Sequence, residues 1–128
     1  MSEDKLSPGQ GDNQLEQANS ILQDCIDNCT ECSRLCLQLI PHCLDVGGEH
    51  ATSEHINILH VCSIICETNA KLMTLDSEFY HDLCRLSAEV STACAADCDA
   101  LSKNDAIMVE GAEICRKTAE SCNRMLVH

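Results

Sequence analysis

The chain has 128 residues, 12 of them cysteine, with one Tyr, one Phe, no Trp and a formal net charge of −13. That length makes one compact domain, and the acidic balance excludes a nucleic-acid binder or a ligand of anionic membranes, both of which need clustered Lys and Arg. With no apolar run near the roughly 20 residues of a membrane span and a polar, acidic start, MSEDKLSPGQGDNQ, a cytoplasmic location is expected; thiols stay reduced there, so dense cysteine points to metal or redox chemistry before a disulfide framework.

Residues 1–12, with Pro8, Gly9 and Gly11, read as a disordered N-terminal tail. Residues 13–128 read as four helices in one domain. The first is expected from about Asn13 to Val46, stopped by Gly47 and Gly48 and kinked or broken at Pro41. The second runs from about Ser53 to Leu75, capped by Thr52 or Ser53. The third runs from about Ser77 to Leu101 behind a cap at Asp76 or Ser77, and the fourth from about Asp105 to Leu126 behind Asn104 or Asp105. No stretch reads as a strand. Short connections make successive helices antiparallel neighbours, so the expected fold is all-α: an antiparallel up-down four-helix bundle.

Within the first helix, CIDNCTECSRLC belongs to a longer seam of Leu22, Cys25, Cys29, Cys32, Cys36, Leu39 and Cys43, at steps of 3, 4, 3, 4, 3 and 4. That unbroken heptad places the thiols where a bundle normally keeps Leu, facing the core. The second helix gives His55, Leu59, Cys62, Cys66, Asn69 and Met73, and the fourth gives Met108, Gly111, Cys115, Thr118, Cys122 and Met125. The third is wider. Cys84, Cys94 and Cys98 share a broad face on which either Ser87 or Ala88 fills the next step, Ser91 fits both, and His81 precedes Cys84.

A buried free cysteine is often just a small hydrophobe, and that reading serves for any one of these residues. It does not serve for a dozen on four seams, because Leu fills a core better and does not oxidise. Disulfides within a helix would be strained: Cβ atoms at i and i+4 lie about 5–6 Å apart, whereas a bridge wants about 3.8 Å. Bridges between helices remain open. Metal is the third reading. Two thiolates about 2.3 Å from one ion lie up to about 4.6 Å apart, a span that an i,i+4 pair reaches. Soft thiolates select Cu(I), zinc or iron–sulfur clusters. The ferredoxin-type spacing C-x2-C-x2-C-x3-C-P is absent, and structural zinc gathers its ligands at one point. Cys25 to Cys43 instead covers about 27 Å of helix. Such a line suits Cu(I), which shares bridging sulfurs, with zinc or iron–sulfur as alternative metals and thiol redox or sensing as alternative chemistry. No Ser-His-Asp or Cys-His arrangement is legible and the carboxylates read as a solvated exterior, so no enzyme is expected.

In CIDNCTECSRLC, HCLDVGGEH (42–50), CSIIC (62–66), CAADC (94–98) and ICRKTAESCNRM (114–125), the chain resembles the copper storage proteins, four-helix bundles whose inward thiols bind many Cu(I) ions. The resemblance implies cytosolic storage and sequestration of multiple Cu(I) ions by Cys25, Cys29, Cys32, Cys36, Cys43, Cys62, Cys66, Cys84, Cys94, Cys98, Cys115 and Cys122. It also implies a homo-oligomer, a tetramer in the family. Family members tend to carry further cysteines near Ser87, Ser91, Gly111 and Thr118. A lower copper load is therefore expected, weighted toward the first helix; the alternative is a relative that has lost high-capacity storage.

Antiparallel order gathers Cys43, His55, Cys98 and Met108 at one end of the bundle, and Met73, His81, Cys122 and Met125 at the other. Imidazole and thioether are usable Cu(I) ligands. His55, His81, Met73, Met108 and Met125 are therefore candidate accessory ligands, against the plainer reading of the methionines as core and the histidines as solvated.

Overall fold

The computed structural model describes the backbone of residues 10–127 and the side chains of residues 13–127. Residues 1–9 of the expected tail, and His128, lie outside the described residues. Four helices follow one another: α1 (Gln10–Val46), α2 (Ser53–Thr74), α3 (Tyr80–Ala100) and α4 (Ala106–Val127), with a 3-10 turn at Gly48–Ala51 after α1. Each packs its backbone on its two neighbours in the cycle α1–α2–α3–α4–α1, while the diagonal helices α2 and α4 meet only through core side chains, as where Asn69 reaches Cys122. This is the expected up-down bundle, and no strand occurs among the described residues.

α1 begins at Gln10, ahead of the expected Asn13, and the expected break at Pro41 does not occur. Pro41 is exposed, while Leu39 and Cys43 on either side of it are buried in the seam. Tertiary packing outweighs the lost backbone hydrogen bond, because the carbonyl that it leaves free, on exposed Leu37, can reach water. The helix closes as expected, with Gly47 and Gly48 at φ 78 and 57, a backbone region that other residues rarely adopt.

Thr52 caps α2 by accepting from the His55 backbone N–H at 3.3 Å, and Asp105 caps α4 through Oδ1, which accepts from the Ile107 and Met108 N–H groups at 3.1 and 3.3 Å. The third helix departs from expectation. It starts at Tyr80, because Asp76 finishes α2 and does not open α3. Asp76 takes a positive φ of 57, its N–H bonds the Met73 carbonyl, and the Ser77 N–H reaches back to Leu72. That pattern is a Schellman stop with Asp where Gly is usual. Ser77 then holds the Phe79 N–H at 3.1 Å in the following turn.

Candidate metal centre

Every seam residue that the spacing assigned to α1 from Cys25 onward, and every one on α2 and α4, is buried. On α3 both candidates for the ambiguous step are buried: Ser87 completely, and Ala88 at 7% exposure beside Ala95 at the helix margin. The central line of α3 is therefore Cys84, Ser87, Ser91, Cys94 and Cys98. All twelve cysteines have 0% exposure and all are free thiols. No disulfide joins them in this structure: helices that place their thiols on a common axis leave them in contact but unbridged.

The sulfurs fall into levels along the bundle. Near the α1 N-terminal half, Cys25, Cys29 and Cys122 converge, with Sγ–Sγ distances of 3.7 and 3.8 Å from Cys122 to the two α1 thiols. Above them Cys32, Cys36, Cys62 and Cys115 form a second group, in which Cys32 lies 3.8 Å from Cys62 and 3.9 Å from Cys115. Within each group all ligand atoms lie within 4.8 Å of one another, close to the spread of about 4.6 Å that two thiolates on one ion require.

Polar residues are threaded among these thiols. Asn69, fully buried on the α2 seam, aims its side-chain N–H group at three sulfurs, Cys84, Cys29 and Cys122, at 3.5, 3.7 and 3.8 Å. Such a donor stabilises a thiolate without competing to bind the metal. Ser91 Oγ lies 3.6 Å from Cys66 Sγ and 3.7 Å from Cys62 Sγ. Thr118, by contrast, turns its hydroxyl to the backbone carbonyls of Ile114 and Asn28, at 2.8 and 3.1 Å. Ser87 Oγ has no partner, alone among the buried side-chain N and O atoms of the described residues. At Gly111, a Cβ would fall 2.6 Å from Leu39 Cδ1, so the Leu39 side chain fills the space a larger residue would need.

The two expected end clusters fare differently. Cys43 Sγ lies 3.3 Å from His55 Nε2 and 3.6 Å from Met108 Sδ. His55 is also bonded through Nδ1 to Asp97 Oδ2 at 2.7 Å. Asp97 is a half-exposed carboxylate that the reading of a solvated exterior missed, since only the cross-helix register brings it to His55. Accepting the Nδ1 proton fixes the tautomer and directs the bare Nε2 at the Cys43 thiol, which donates to it. Asp105, likewise read as exterior, is mostly buried and accepts from both His42 Nε2 and His50 Nε2 at 3.0 Å, tying the end of α1 and the 3-10 turn to the start of α4. At the other end, Met73 and Met125 border a cavity of about 180 Å³ with Leu22 and Tyr80. His81 is exposed, its ring edge-on to Tyr80, and it is not brought to the thiols. A groove of about 700 Å³ on the outer α1–α2 face, around Leu37, Ala70 and Leu75, is lined by no cysteine.

Protons are shared unequally within the groups. Hydrogen bonding with Cys122, then with Cys29, holds the Cys25 thiol below its usual range, and contact with Cys115, then with Cys32, does the same for Cys62. Neighbours in the same groups are correspondingly hard to ionise: Cys29 is pushed up by Cys122 and Cys25, and Cys115 by Cys32 and Cys36. Cys43 is raised to about 11, first by burial and then by the Asp105 charge. A metal that takes these sulfurs as thiolates must displace their protons, so binding weakens as pH falls.

The model of the copper storage protein family matches residues 18–127. Among solved structures, the Nmul_A1745 protein from Nitrosospira multiformis superposes with a TM-score of 0.79 at 36% identity, over 85% of this chain and 97% of that one. The Cu(I)-bound copper storage protein BsCsp3 gives a TM-score of 0.75 at 28% identity, over 83% of this chain and 98% of that one. A cytosolic copper storage protein from Streptomyces lividans, solved with five coppers, has the same fold, with a TM-score of 0.81 at 19% identity over 88% and 98% of the two chains.

Proposed function

Because this chain belongs to the copper storage protein family, we propose that it binds several Cu(I) ions on its core thiolates and holds them as a cytosolic store. The observation that carries this reading is the burial of all twelve free thiols along one bundle axis, with sulfur groups spaced for shared soft ions. The twelve cysteines are the ligands. His55 and Met108 join Cys43 as accessory ligands, while Met73 and Met125 pack the far end and exposed His81 stays out.

Holding metal is the whole activity of the protein, with no catalytic step. Its acidic exterior keeps the protein soluble, and a homotetramer is the assembly that the family resemblance implies. α3 and α4, which carry Ser87, Ser91, Gly111 and Thr118 in place of further thiols, offer fewer sulfurs to bridge ions, so capacity is reduced.

Expression in a copper-sensitive bacterial strain tests storage as distinct from binding. The chain raises copper tolerance and cell-associated copper together, and a variant with Cys25, Cys29, Cys32 and Cys36 changed to Ser does neither. Equal tolerance with both versions would remove the storage reading.

A further inference from the structure

The levels of the core are not continuous. α1 has no ligand between Cys36 and Cys43, α2 none between Cys62 and His55, and α4 none between Cys115 and Met108. Each gap is two seam steps, about 10.5 Å of helix. Leu39 and Leu59 occupy the first two, at 1% and 0% exposure. Gly111 occupies the third, and Leu39 lies across it with Cδ1 2.6 Å from the position of its missing Cβ. An apolar layer therefore separates the Cys43–His55–Met108 cluster from the body of the thiol array.

One ligand sits in that layer. Cys98 on α3 has its sulfur 3.7 Å from the same Gly111 Cβ position, at the level of Leu39. Cys94, one turn earlier on the same face, begins the array about 6 Å away along the helix. An ion shared by two thiolates needs their sulfurs within about 4.6 Å. Cys43 and Cys36, separated by the full gap on one helix, cannot pass an ion directly, whereas Cys98 divides the distance.

We propose that Cys98 is the transfer ligand that carries Cu(I) past the Leu39–Leu59 layer, between the Cys43–His55–Met108 cluster and Cys94. This rests on the copper storage reading. The step is ligand exchange with no change of oxidation state. The bond from copper to Cys98 Sγ forms as that to Cys43 Sγ breaks; Cys98 gives up its thiol proton and Cys43 takes one back, with His55 Nε2 beside it to relay it. The same exchange then passes the ion to Cys94. Cys98 thus governs the rate of filling more than the number of ions held.

Anaerobic stopped-flow mixing with Cu(I) as its acetonitrile complex, read by Cu(I)–thiolate ultraviolet absorbance, separates the two quantities. Cys98→Ser, near-isosteric, loses the ions that its own sulfur helps hold, about one or two, and fills the remaining sites at least about tenfold more slowly, the least that an apolar barrier to a charged ion imposes. Leu39→Ala in the same variant opens the layer and restores part of the rate. Filling of the remaining sites by Cys98→Ser at the wild-type rate overturns the transfer role and leaves storage intact. A wild-type chain that takes up no copper overturns both. Far-UV circular dichroism confirms that the variants are folded, and Cys98→Ala provides the same kinetic comparison if the serine variant is not.

Discussion

Gly111→Ala is the substitution whose outcome depends most sharply on how the core is packed. In a helix interior, Ala is favoured over Gly by about 1 kcal/mol, so a site with open space should be stabilised. Position 111 has no such space. The new methyl would lie 2.6 Å from Leu39 Cδ1, about 1 Å inside the ordinary carbon–carbon contact of 3.5–4.0 Å. Leu39 is 1% exposed and packed in the seam, so yielding means an off-rotamer side chain or a backbone shift, at about 1–3 kcal/mol. The clash exceeds the propensity gain, and the net loss is about 1 kcal/mol, or about 4 °C in melting temperature for a domain of this size. Urea and thermal unfolding of the reduced, metal-free protein under anaerobic conditions measure it. Leu39→Ala alone costs about 2–5 kcal/mol. Combined with Gly111→Ala it should cost less than the two changes summed, by more than about 1 kcal/mol of coupling. If Gly111→Ala stabilises the protein by about 1 kcal/mol and adds independently to Leu39→Ala, Leu39 does not lie over the glycine, and the apolar layer that depends on it is wrong.

Other consequences follow from single contacts. Asp105→Ala removes the α4 cap and the shared acceptor of His42 and His50, a loss of roughly 1–2 kcal/mol that Asp105→Asn should partly spare. Despite its burial, hydrogen bonds from His42, the Met108 backbone and His50 hold the Asp105 carboxyl below its usual 3.8. Its contribution is therefore full above about pH 4 and disappears as pH falls through the depressed value, so the variant's stability should vary less with pH in that window. Ser91→Cys puts a thirteenth thiol beside Cys62 and Cys66 and should raise capacity by about one ion, counted by native mass spectrometry; unchanged capacity would mean that position 91 does not face the metal array. In the metal-free protein, a chromogenic disulfide reagent should react slowly and with all twelve buried thiols at similar rates, whereas one or two fast thiols would favour the redox-sensor alternative.

The seams of α1, α2 and α4 were legible because a heptad shows on one helix alone: Cys25, Cys29, Cys32 and Cys36 declare their face without reference to any partner. On α3, Ser87 and Ala88 both lie within the buried arc, and only contact with the neighbouring helices shows which of them is central. What depends on register between helices was not legible. Asp97 is 42 residues from His55 and looks like any exterior carboxylate until α2 and α3 are docked. Leu39, Leu59 and Gly111 were each placed on a seam, but that they share one level is a property of the assembled bundle. The start of α3 was misread because Asp is a good cap and also one of the few residues other than Gly to accept a positive φ; at Asp76 the second use prevails.

The most direct test of the account is an anaerobic titration of the fully reduced protein with Cu(I) against a competing chromogenic chelator. With each sulfur bridging two ions and each ion taking two or three sulfurs, the twelve thiols should hold about 8–12 ions per chain before the chelator takes any. If one ion or none binds ahead of the chelator, the cysteine-lined core is not a copper store.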